Sequence, residues 1–130
     1  MSGSFFTLNK TPMPTNRMNK TMAGYHILMI LSAVDFRFNE QEDAVIRDYL
    51  VHEFPFHVSL DREMAIISNL RSDEWELHFI KAVDDFYDDS LPAERLKLLD
   101  FAVQLCKADE VITKEENHFL NILFEHWEPQ

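Results

Sequence analysis

Displaced by 74 residues, the chain lies in register with itself. Asp35 falls on Asp109, Phe38 on Ile112, Asn39 on Thr113 and Glu42 on Glu116. Before this corner, Ile27, Met29 and Leu31 meet Phe101, Val103 and Leu105. After it, Ile46, Tyr49 and Leu50 meet Leu120, Leu123 and Phe124, and His52 meets His126. Each unit reads as an apolar helix, an Asp-bearing corner and a second apolar helix whose first turn carries a Glu. A unit of this kind leaves one apolar face open, so the two are expected to pack on each other.

The same helical period runs through the rest of the chain. A first helix is expected over about 21–34, with Ile27, Leu28, Leu31 and Val34 on one face. Asn39 and Glu42 form a start signal for a second, which carries Val45, Ile46, Tyr49 and Leu50 and is stopped by Pro55. Ser59 can cap a short third helix with Leu60, Met64, Ile67 and Leu70; Ser72 or Asp73 can cap a fourth with Trp75, Phe79, Ala82, Val83 and Phe86. Ser90 and Pro92 open a fifth, carrying Leu98, Leu99, Ala102, Leu105 and Cys106. Thr113 and Glu116 make a capping box for a sixth with Phe119, Leu120, Leu123, Phe124 and Trp127. No segment alternates with period two for long, and two glycines and five prolines among 130 residues are too few for a turn-rich sandwich. The expected fold is all-α, a compact bundle of six to seven helices. Residues 1–20 lack periodicity and read as a flexible N-terminal arm ahead of a helical domain over 21–130.

The corner residues carry a family resemblance. Lys107 to Glu116 reads KADEVITKEE and Ala33 to Glu42 reads AVDFRFNEQE. Both resemble the Ala-Asp-Gly-x-Ile-x-x-x-Glu pattern that recurs in the TerB-like, tellurite-resistance family, and the likeness covers about residues 21–128. The family's glycine is Phe36 in one unit and Glu110 in the other. The resemblance implies a compact all-helical fold with two repeated units. It also implies links to stress response and to membrane-associated assemblies, and acidic positions suggested to bind metal.

Charge narrows the function classes. Acidic residues number 23 against 12 basic ones, a net charge of −11, which repels a phosphate backbone and argues against nucleic acid as a partner. The single cysteine, Cys106, excludes an intramolecular disulfide and reads as a buried thiol in an apolar helix. No run reaches the length of a membrane span, so direct membrane insertion is not expected. The apolar stretch Ile27 to Leu31 behind Lys10, Arg17 and Lys20 has some look of a secretory signal. It belongs to the repeat, however, and a cytoplasmic location is expected.

Two sets of carboxylates are candidate sites. Asp35, Glu42, Asp109 and Glu116 could hold a divalent cation, calcium or magnesium, as hard oxygen donors; equally, they could do no more than bond backbone N–H groups of their own loops and caps. Asp84, Asp85, Asp88 and Asp89 surround Phe86 and Tyr87 near a helix C-terminus, where like charges four apart repel. They read either as a solvated helix end or as a docking patch for a basic partner, the chain's own arm included. The six histidines show no ligand spacing, and no phosphate loop or nucleophile elbow appears. The expected function is therefore non-enzymatic: a TerB-like module for protein association, open to cation modulation and to homodimer formation. The rival is a small metal-dependent hydrolase using the repeated carboxylates.

Overall fold

The computed structural model of the protein describes residues 17–34, 40–54, 59–107 and 112–127, the side chains of 40–42 excepted. They form six α-helices: α1 (Lys20–Ala33), α2 (Glu40–Glu53), α3 (Leu60–Ser68), α4 (Trp75–Asp89), α5 (Pro92–Lys107) and α6 (Lys114–Trp127). A 3-10 turn, Ser72–Glu74, leads into α4. Among the described residues there is no strand, so the class is all-α as expected, and no helix is long and apolar enough to cross a membrane.

Helix α1 is the axis of the bundle. Its sequence KTMAGYHILMILSA holds no acidic residue and no polar stripe, and a helix apolar all round belongs inside. The single face expected from its periodicity understates it: every residue from Ala23 to Ala33 is buried, and α1 packs against each of the other five helices. Gly24 marks the tightest approach. A Cβ there would lie 3.2 Å from Leu50 Cδ2, 3.4 Å from the Phe86 ring and 3.6 Å from Leu98 Cδ1, so α2, α4 and α5 converge where α1 has no side chain. The helix that the repeat sets against α1, α5, buries only Leu98, Ala102 and Cys106.

The outer helices are amphipathic and give α1 their apolar faces. Phe79, Ala82, Val83 and Phe86 of α4 are buried, as are Phe119, Leu120, Ile122, Leu123 and Trp127 of α6. Phe86 stacks on Trp127 with ring centres 5.2 Å apart and meets Phe54 edge-on at 5.9 Å. The Trp127 indole N–H donates to the Val83 carbonyl at 3.1 Å, so its one polar atom is satisfied inside the core.

Caps fix the helix starts. Asn19 accepts the Met22 N–H at 2.8 Å and starts α1 one residue ahead of Thr21; Ser59 accepts the Arg62 N–H at 3.4 Å, as expected for α3. The start of α4 differs from expectation. Neither Ser72 nor Asp73 caps it; the Glu74 carboxylate reaches back to the Arg71 N–H at 2.7 Å, and the 3-10 turn separates that cap from Trp75. Glu94 does the same for Leu91 at 2.8 Å. A glutamate in the first turn satisfies an orphan donor as well as a serine does, and its charge suits the positive end of the helix.

Candidate functional site

Three helices each carry a polar residue among apolar ones, and the fold brings the three together. His26 sits mid-way along α1, Glu63 lies between Leu60 and Ile67 on the buried side of α3, and His78 precedes Phe79 on α4. His26 Nε2 lies 2.7 Å from Glu63 Oε1, and His26 Nδ1 lies 2.7 Å from His78 Nε2. The His26 and Glu63 side chains are 1% and 5% exposed, whereas His78 is half-buried. The three side chains thus form a chain of hydrogen bonds from the core to the surface.

Burial, then the charges of His26 and Lys81, hold the His78 ring down at about 4, so it is uncharged at neutral pH. Glu63 accepts from His26 Nε2–H, and His26 Nδ1 shares one proton with His78 Nε2. His78 Nδ1, the other nitrogen of that ring, has no hydrogen-bond partner among the described residues. The chain ends in a groove of about 490 Å³ lined by His26, Glu63, His78, Arg17, Arg62 and Lys81, with Met18, Met22 and Ile66. Among the described residues no group of three His, Cys, Asp or Glu is arranged to hold a metal ion. At His26 the geometry gives the reason: both ring nitrogens are already in short hydrogen bonds.

The acidic run on α4 is engaged mostly by the chain's own residues 17–20. Asp85, 8% exposed, accepts the Met18 N–H at 3.1 Å and pairs with Lys81 at 2.6 Å. Asp89 accepts the Lys20 N–H at 2.9 Å, and Asp88 pairs with Arg17 at 3.2 Å. Asp84 faces His126 Nδ1 at 3.1 Å. Arg95 bonds the carbonyls of Tyr87 and Ser90. The carboxylates repel along the helix but each meets a donor from elsewhere, which offsets that repulsion.

Of the repeated corner residues, Asp35, Asp109 and the Glu42 side chain lie outside the described residues. Glu116 lies inside them and is buried. Its Oε1 accepts the Thr113 N–H at 2.9 Å while its own N–H donates to Thr113 Oγ1 at 3.1 Å, a closed capping box. The residues 1–16 of the expected arm also lie outside the described residues.

A second groove, of about 230 Å³ and largely apolar, runs beside the C-terminal ends of α4 and α6. Pro92, Arg95, Leu96 and Leu99 of α5 line it at helical spacing, with Tyr87 and Trp127. Leu91 and Leu96 nearby are 66% and 68% exposed, and Phe124 is 43% exposed. Comparison of the chain with protein families, with curated proteins and with solved structures finds no match.

The sequence reading did not single out His26, Glu63 and His78. They are 37 and 52 residues apart, and no local motif joins them. The usable signal was weaker: a histidine or glutamate occupying an apolar position of its helix, three times over.

Proposed function

We propose that this chain is a non-enzymatic, TerB-like helical module that works by holding a partner protein. The observation that carries the reading is the groove of Tyr87, Pro92, Arg95, Leu96, Leu99 and Trp127, with its own Leu96 exposed and the equally exposed Leu91 next to Pro92 in the chain. Leucines at two-thirds exposure beside an apolar groove are stabilised by covering them, at roughly 25 cal/mol per Å² removed from water. A lining spaced along one face of α5 suits an amphipathic helix laid into it. Net charge decides which kind: a chain at −11 draws basic segments and repels acidic ones, so the occupant is a basic amphipathic helix of another protein.

Glu116, the one repeated carboxylate among the described residues, supports this reading over a metal-dependent hydrolase. Glu116 already gives one carboxylate oxygen to the Thr113 N–H, which explains its acidity at that corner without a cation. A photo-crosslinking residue placed at Tyr87 in the full chain, in the cells that make it, tests the proposal. The expected product is a crosslink to a basic amphipathic segment of one protein, lost in Leu96→Asp. A crosslink to an acidic segment, to a second copy of this chain, or one that Leu96→Asp leaves unchanged would overturn it.

A further inference from the structure

The groove at the end of the Glu63–His26–His78 chain is separate from the docking face, and cations outnumber carboxylates in its lining. Only 12 lysines and arginines serve a chain of net charge −11, yet Arg17, Arg62 and Lys81 all line this one groove. They come from three places: the segment before α1, helix α3 and helix α4. Arg17 and Lys81 are steadied by Asp88 and Asp85, while Arg62 is exposed and makes no ion pair with a described residue. Such a cationic rim in an acidic protein concentrates small anions rather than polyanions, which the surrounding surface repels.

The floor of the groove supplies what the rim lacks. Uncharged at neutral pH, the His78 ring offers an anion no positive charge to meet. Add one proton and both ring nitrogens become donors on a positive ring. The charged groups facing His78 are His26 from α1, Glu63 from α3, and Lys81 and Asp85 from its own helix. An anion in the groove adds the negative charge that makes protonation favourable.

We propose that the groove between α1, α3 and α4 binds a small tetrahedral oxyanion together with one proton, Arg62 and Lys81 meeting the anion and the His78 ring taking up the proton. The proton comes from solvent, and no bond to the anion is made or broken. Inorganic phosphate and sulfate share this chemistry. Sulfate is the cleaner probe, because it has no proton of its own to lose or gain near neutral pH.

Calorimetric titration of the full chain with sodium sulfate, at about pH 6.5 and constant ionic strength, in two buffers of different ionisation heat, tests the proposal. Saturable binding is expected, with an uptake of about half to one proton per sulfate and an affinity that falls by up to about tenfold per pH unit above that. Arg62→Ala should weaken binding about tenfold while keeping the proton uptake. His78→Gln, whose amide can still bond His26, should abolish the uptake. Heats that do not depend on the buffer, an unchanged uptake in His78→Gln, or no saturation at tens of millimolar would each overturn it. Circular dichroism of both variants separates loss of binding from loss of fold.

Discussion

His26 and Glu63 meet at 2.7 Å with almost no exposure, a polar contact that joins the nine-residue helix α3 to the central helix α1 beside the buried Leu60 and Ile67. Removing one partner leaves the other's polar atoms buried and unpaired, which in comparable buried pairs costs about 3 kcal/mol or more. Glu63→Ala is therefore expected to lower the unfolding free energy by about 3 kcal/mol. Glu63→Gln, which keeps an oxygen acceptor in place, should lose about half of that. Urea denaturation followed by circular dichroism reads both. A Glu63→Ala loss under about 1 kcal/mol would mean that the pair is not buried in solution.

The same network sets a dependence on pH. His78 stays neutral in the folded protein down to about 4, whereas the unfolded chain protonates it near the ordinary histidine value of about 6.5. Between those values the unfolded state binds more protons, so stability falls as the pH drops through that window and is whole above it. The ring is only half-buried, so solvent screening reduces the effect to about 1–2 kcal/mol. Comparing urea midpoints at about pH 7 and about pH 4.5, the wild-type chain should lose that much more than His78→Gln. Equal losses would show that another group controls the acid limb.

The acidic run on α4 holds two kinds of carboxylate. Asp85 is buried against the Met18 N–H and Lys81, so Asp85→Ala should cost about 2 kcal/mol and free the segment ahead of α1. Asp88 makes only an exposed pair with Arg17, and Asp88→Ala should stay within about 0.5 kcal/mol. Hydrogen exchange at Met18 and Lys20 gives a second reading: it should rise in Asp85→Ala and hold steady at Met18 in Asp88→Ala.

The parts of this fold that were legible in the sequence are the local ones. Period, Ser59 and the Thr113–Glu116 box place α3 and α6 because a cap or an apolar stripe acts over three or four residues. The burial of α1 on all sides was legible only in part: its composition excludes acidic residues, but which helices surround it is decided by tertiary packing. The His26–Glu63–His78 chain was not legible at all as a unit, since its members approach only after three helices pack. Glu74 and Glu94 show a subtler miss. Each caps from inside the first turn, a role that a serine or aspartate placed just ahead of it obscures.

Gly24 tests the claim that α1 is a buried axis and not an amphipathic surface helix. On a surface helix, Gly→Ala gains about 1 kcal/mol from helix propensity alone, and larger straight-chain residues gain nearly as much. Here an added Cβ meets Leu50 Cδ2 at 3.2 Å, the flexible end of a side chain that can give by a few tenths of an ångström. Propensity and crowding then roughly cancel, and Gly24→Ala should lie within about 1 kcal/mol of wild type. A larger side chain has no such escape, because Phe86 at 3.4 Å and Leu98 at 3.6 Å close the other directions. Gly24→Leu should therefore destabilise by about 3 kcal/mol or leave the chain unfolded, whereas a surface position would accept it. Thermal denaturation of the two variants beside wild type distinguishes the cases, and a Gly24→Leu chain as stable as Gly24→Ala would remove α1 from the centre of the bundle.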